Sequence, residues 1–269
     1  MRFSVGQQNV RINVPSWDEL RRVVGSRLKA RQGFALATLN LDHLVKLSAA
    51  SDFSAAYAAQ DLVVADGNPI VWMSRLAGQP VDLIPGSDAI LPLASIAAEE
   101  GVTVALVGST DDTLNSAVRH MEQNVPGLRV VRCIAPAFGF DPKGEEALEI
   151  FEQLNRSGAG LCFVALGAPK QEVFAAMGRI HAPEIGFASI GAGLDFYSGA
   201  QERAPQWVRT LALEWAWRMV SNPARLAPRY ARCMAILPGQ MLQAVSQRFA
   251  AEQTARRALR PVRRPEVIL

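Results

Sequence analysis

Asp66 stands between the apolar run Leu62 to Ala65 and Gly67, the place of a side chain at the carboxyl end of a buried strand. Ligands of open α/β sheets bind at that end, and a carboxylate there can accept the proton of a reacting hydroxyl. Thr38 and Asn40 close the apolar run Phe34 to Leu39 in the same way, so two strands are expected to present Thr, Asn and Asp to one crevice. Each residue also has a plainer reading. Asp66-Gly67 is a turn sequence, Asn68-Pro69 can supply an N-cap and a first-turn proline, Asn40 can cap a helix starting near Asp42, and Thr38 suits any strand.

Three further turns follow apolar runs. Gly108-Ser109-Thr110 precedes a helix starting near Asp111, and its amides suit a phosphate or ribose. Gly167-Ala168-Pro169-Lys170-Gln171-Glu172 leads a strand into a helix, and the Gln171 amide can read a base or a sugar hydroxyl. Gly191-Ala192-Gly193-Leu194-Asp195-Phe196 lacks the third glycine of a dinucleotide fingerprint, which disfavours a nucleotide-dependent oxidoreductase. There is no Walker A sequence, HExxH or Asp-x-Asp, and His43, His120 and His181 are not at ligand spacing, so neither metal nor cofactor is expected. A diphosphate leaving group would fall to arginines.

The elements that must position these residues alternate in type. Strands are predicted at Phe34–Leu39, Leu62–Ala65, Thr103–Val107, Leu128–Ile134, Leu161–Leu166 and Ile185–Ile190. Helices are predicted at Leu44–Ala59, Ile70–Leu76, Ala89–Glu100, Leu114–Gln123, Glu145–Leu154 and Glu172–Ile180. This rhythm predicts an α/β fold with a mostly parallel sheet over residues 1–195. Met1 to Val14 reads as a strand, not an export signal. After Asp195 the rhythm gives way to a helical appendage, residues 196–269, in which Trp207, Leu211 and Trp215 recur at helical spacing and Pro223, Pro228 and Pro238 separate short helices.

Charge divides at the same place. Residues 1–195 carry 16 basic and 21 acidic side chains, whereas residues 196–269 carry 12 and 4, all twelve basic ones arginine. Arginine favours bidentate contact with phosphate, and Trp with Arg is a composition used at membrane surfaces. No apolar run reaches the ~20 residues of a transmembrane helix. Three dispersed cysteines, Cys133, Cys162 and Cys233, argue for a reducing compartment.

Taken in order, the motifs resemble the WecG/TagA/CpsF family of glycosyltransferases. The resemblance rests on Thr38-Leu39-Asn40, Ala65-Asp66-Gly67, Pro85-Gly86-Ser87-Asp88, Leu106-Val107-Gly108, Leu166 to Glu172, Gly191-Ala192-Gly193, Arg203-Ala204-Pro205, Leu213-Glu214-Trp215, Arg218, Arg225 and Arg229-Tyr230. It implies a Rossmann-like α/β/α layered fold and metal-independent, inverting transfer from a UDP-sugar to an undecaprenyl-diphosphate-linked acceptor. It also implies a cytoplasmic protein, peripheral on the inner face of the cell membrane, with no nucleic-acid partner. Asp66 would be the general base, with Thr38 beside it. Asn40, Gly67, Gly108 and Gln171 would line the substrate pocket, and Arg218, Arg225 and Arg229 would reach it when the appendage docks at the membrane. The chain departs from the pattern at Asp82-Leu83-Ile84-Pro85, where the family often has an arginine. UDP-N-acetylmannosamine, its uronic acid and UDP-glucose are the donors to weigh. A peripheral membrane scaffold is the non-enzymatic alternative, and a monomer or a homo-oligomer fits equally.

Overall fold

The computed structural model describes residues 1–6, 8–48, 52–197, 199, 205, 208, 214–221 and 223–258. The chain opens with an antiparallel hairpin, β1 (Arg2–Val5) and β2 (Gln8–Arg11), where one continuous strand was expected; Gly6, at φ 57°, makes the turn. Helix α1 (Trp17–Lys29) was not anticipated, although its signal is present: Ser16 accepts a hydrogen bond from the backbone N–H of Glu19, three residues on.

Six strands form the main sheet: β3 (Phe34–Leu39), β4 (Leu62–Ala65), β5 (Val104–Gly108), β6 (Val130–Ile134), β7 (Leu161–Ala165) and β8 (Gly186–Ser189). Their order is β4-β3-β8-β7-β5-β6, every pair parallel. All six predicted strands are present, with ends moved by at most one residue, apart from β6 on the sheet edge, which starts two residues late at Val130.

Helices cover both faces, as burial on both sides of a parallel sheet demands. One face packs α1 with α5 (Gly86–Glu99) and α6 (Asp111–Asn124) on Phe34, Leu36, Val64, Leu106 and Phe163. The other packs α2 (Leu41–Leu47), α3 (Asp52–Ala58) and α4 (Asn68–Leu76) near Ala37 and Val63. It also packs α7 (Glu145–Ser157) and α8 (Lys170–His181) near Val107, Val164 and Phe187. The single helix expected over Leu44–Ala59 is therefore two. Helix α4 is capped by Gly67, not Asn68, which occupies the first helical position ahead of Pro69.

The appendage contains α9 (Glu214–Ser221) and α10 (Pro223–Ala258). Pro228 and Pro238 do not end α10, contrary to expectation. Both are exposed, while Cys233, Ile236, Leu237 and Ala244 pack into the core beside the hairpin, α2 and α4. Burial of that face outweighs the local cost of a helical proline, ~3 kcal/mol each. Gln240 and Gln243 both donate to the Ser4 carbonyl, and Gln247 donates to that of Arg2, so α10 covers the open edge of β1. The Trp207 and Leu211 part of the predicted apolar stripe lies outside the described residues.

Asp61 fastens the amino ends of this architecture. Its carboxylate accepts from the Ala35 N–H at 2.9 Å and the Arg179 Nε at 2.9 Å, joining β3, β4 and α8. Asp61→Ala leaves a strand amide without its acceptor, and urea denaturation should show a loss of about 1–3 kcal/mol. Activity should fall only through the lost folded fraction.

Candidate active site

The sheet order sets up a crevice at the carboxyl edge. After β8 the chain passes to the α1/α5 face through Ile190 and Leu194, whereas after β3 and β7 it passes to the opposite face through Leu44 and Phe174. Neighbouring strands whose continuations part to opposite faces leave a cleft above the strand ends. The ends meeting there are Asn40, Asp66-Gly67, Gly108-Ser109, Gly167-Ala168 and Gly191 to Gly193.

Asp66 and Asn40 are brought together as their positions require. Residues Leu36–Leu39 run in register with Leu62–Ala65, and the Asp66 N–H donates to the Leu39 carbonyl at 2.7 Å. Asn40 Nδ2 donates to Asp66 Oδ2 at 3.2 Å, while its Oδ1 accepts from the His43 N–H at 3.0 Å. One amide thus caps α2, as the plainer reading of Asn40 expects, and also holds the Asp66 carboxylate. Thr38, two residues earlier on the same face of β3, is 3% exposed. Gly67 has φ 94°, a conformation that suits only glycine and turns the chain from Asp66 into α4.

Gly108 is required for a different reason from phosphate binding. At φ 116° it lies against β7, and a Cβ would overlap the Ala165 carbonyl. The next amide, Ser109 N–H, donates to Ala165 O at 3.2 Å, and Ser109 Oγ donates to Asp195 Oδ1 at 2.9 Å. That last contact ties the β5 end to the turn after β8 and spans 86 residues, which no local pattern reveals.

Gln171 is 1% exposed, and its amide faces inward: Oε1 accepts from the Gly191 N–H at 2.9 Å, and Nε2 donates to Glu172 Oε1 at 2.8 Å. Glu172 is fully buried, and burial pushes its carboxyl up to about 7, against the opposing hydrogen bond from Gln171 and the charge of Lys46. His43 Nε2 lies 3.9 Å away, but burial, aided by Lys46, pushes the imidazole down to about 3, so it is neutral and makes no ion pair. His43 Nδ1 meets the buried Tyr57 hydroxyl at 3.4 Å.

Above this cluster, Asp42 joins the appendage to the crevice. It pairs with Lys46 Nζ at 2.8 Å and with Arg229 Nη2 at 2.9 Å, and Lys46 also donates to the Ala168 carbonyl at 3.2 Å. Burial raises the Asp42 carboxyl, but the Lys46 hydrogen bond and the Arg229 charge overcome this and hold it below its ordinary value. Arg229 therefore contacts the first turn of α2, the helix capped by Asn40. The backbones of Arg218 and Arg225 lie in α9 and α10, and their side chains are outside the described residues. Sequence reasoning missed Asp42 and Lys46 as a pair, although their four-residue spacing was a signal. Among the described residues, no three His, Cys, Asp or Glu side chains form a group able to hold a metal ion.

The raised Glu172 carboxyl carries a stability consequence. A carboxyl whose folded value lies above its unfolded value favours folding fully at low pH and loses that contribution as pH rises through the folded value. Stability should therefore fall between about pH 4.5 and 8 by roughly 3 kcal/mol from this group. Denaturant titrations of wild type and Glu172→Gln across that range should show the decline in wild type and its absence in the variant.

No helix among the described residues is long and apolar enough to cross a membrane. The family model described as Glycosyl transferase WecG/TagA/CpsF family matches residues 6–254, nearly the whole chain, including every strand end that meets in the crevice. The chain belongs to the WecG/TagA/CpsF family of glycosyltransferases, enzymes of polysaccharide biosynthesis.

Proposed function

We propose that this glycosyltransferase moves a sugar, with inversion and without a metal ion, from a UDP-sugar to an undecaprenyl-diphosphate-linked acceptor, with Asp66 as general base. The Asn40–Asp66 hydrogen bond at the shared end of β3 and β4 carries the reading, because it fixes a carboxylate in the crevice. The acceptor hydroxyl oxygen attacks the anomeric carbon and its proton passes to Asp66. The bond from that carbon to the UDP oxygen breaks with its electron pair. Thr38, Asn40 and Gly67 shape the crevice around Asp66, and Gly108 and Gln171 shape its other wall. Arg218, Arg225 and Arg229 supply positive charge toward the departing diphosphate from the appendage.

The same reading puts the catalytic domain at residues 1–195 and the membrane-associating appendage at residues 196–269, at the inner face of the cytoplasmic membrane. Exposed Trp215, Trp217 and Val220 on α9 support it, as do exposed Met234, Met241, Leu242 and Phe249 on α10.

Donor and base are tested together. Purified protein with a short-chain lipid-diphosphate sugar acceptor should release UDP from one of UDP-N-acetylmannosamine, its uronic acid or UDP-glucose, without added metal. Asp66→Asn should then lower kcat by ~10²–10⁴ while UDP affinity stays within about threefold. Near-wild-type turnover would remove Asp66 from the mechanism.

Because α10 completes the core, its membrane role is better tested by substitution than by truncation. Leu242→Glu combined with Phe249→Glu should lose sedimentation with anionic vesicles and keep UDP release with a water-soluble acceptor. Undiminished sedimentation would assign the membrane contact to another surface.

A further inference from the structure

Glu172 has no part in the proposed chemistry, yet among the described residues it is the only buried glutamate, and it lies directly under the crevice: its side chain is 0% exposed, and Oε2 has no hydrogen-bond partner among those residues. A buried carboxyl is costly and is kept where its hydrogen bonds matter. The one side-chain bond it makes supports the orientation of Gln171 that the Gly191 N–H requires. An amide can be rotated by half a turn at little steric cost, but then its NH₂ would face the Gly191 N–H and its oxygen would face Glu172 Oε1. Because Glu172 Oε1 accepts from Nε2 at 2.8 Å, Oε1 of Gln171 is left to accept the Gly191 N–H at 2.9 Å.

Gly191 begins the turn after β8, the strand between β3 and β7 in the sheet, so this turn stands in the middle of the carboxyl edge. It has φ 60°. The turn continues into Gly193, where a Cβ would crowd Ile90 and the Ser87 backbone at the start of α5, and into Asp195, which accepts from Ser109. The position of Gly191 is thereby passed to both walls of the crevice.

We propose that Glu172 is a positioning residue for donor binding: its carboxyl fixes the Gln171 amide, which holds the Gly191–Gly193 turn in the form that receives the nucleotide part of the donor. The donor part of this inference rests on the UDP-sugar reading above; the geometry of the turn does not.

The experiment compares Glu172→Leu, which removes the acceptor, with Glu172→Gln, which keeps a carbonyl oxygen in its place. Amide hydrogen exchange over residues 186–196 reads the turn, and steady-state kinetics with the active UDP-sugar read the site. Glu172→Leu should exchange about tenfold faster at Gly191 and raise the donor KM about tenfold, with kcat within about threefold. Glu172→Gln should restore both. Unchanged exchange and KM in a folded Glu172→Leu protein would overturn the proposal, as would a Glu172→Gln protein as impaired as the leucine variant. Altered exchange with no UDP-sugar turned over by wild type would keep the positioning of the turn and refute the donor reading instead.

If the leucine variant does not fold, the amide resonance of Gly191 in wild type decides. The groups facing Glu172 are Asp42, His43 and Lys46 of α2 and Tyr57 of α3, with Arg229 of α10 beyond Asp42. His43 is pushed down to about 3, Tyr57 is held well above its ordinary value and Asp42 below its own, so Glu172 is the carboxyl of this cluster that titrates near neutrality. The Gly191 amide should shift with a midpoint near 7 in wild type and not in Glu172→Gln. A resonance that ignores pH in both proteins overturns the relay.

Discussion

The fold depends on β8 pairing on both sides at once. Residues 34–65 build one half of the sheet and residues 104–165 the other, and only the insertion of Gly186–Ser189 between β3 and β7 joins them. Close approach makes this possible. Gly186 lies against the Phe34 ring and Gly178 of α8 against the Phe187 ring, where any Cβ would overlap the aromatic atoms. These glycines give up backbone entropy so that large rings fill the space between sheet and helix at interior density. The crevice exists because the strand that joins the halves leaves toward the opposite face from its two neighbours.

Beneath the crevice burial works against charge. Burial disfavours the charged forms of both His43 and Glu172, and the two groups share a pocket without forming an ion pair. Ionic contacts begin one layer further out, where Asp42 receives Lys46 and Arg229 and remains partly in reach of water. The inner layer fixes a backbone turn through hydrogen bonds of buried side chains, and the outer layer joins the appendage to the sheet-bearing part of the chain. Arg229 and Asn40 both act on α2, so the helix that receives the appendage also carries the residue that holds Asp66.

The appendage is compositionally distinct and structurally integrated. Its arginine bias divides the sequence at Asp195, yet Cys233 and Ala244 lie in the same apolar cluster as Phe3, Leu44 and Ile70, and three glutamines cover the β1 edge. Charge composition records the surroundings a segment faces in solution, and says little about which of its sides is buried.

Five of the six strands were legible in the sequence because a strand buried on both faces must be a short apolar run ending in a turn, whereas β6, at the sheet edge, is partly exposed and carries Arg132. Asp66, Thr38 and Asn40 were legible for the same reason, since the polar residue ending such a run falls at the carboxyl edge. The persistence of α10 through two prolines was not, because burial of its other face outweighs the local preference there. Nor could the sequence tell that Gln171 turns inward to Gly191 and Glu172, that Gly108 is demanded by Ala165, or that Ser109 meets Asp195. Apart from the Gln171–Glu172 bond between neighbours, those contacts join residues 20 to 86 positions apart through the strand order. The sequence by itself determined which residues end the strands and the kind of chemistry they can do. Tertiary structure alone decided which of those ends are neighbours and which polar groups are already satisfied, because both follow from β8 entering between β3 and β7, a pairing set by long-range packing that local pattern does not encode.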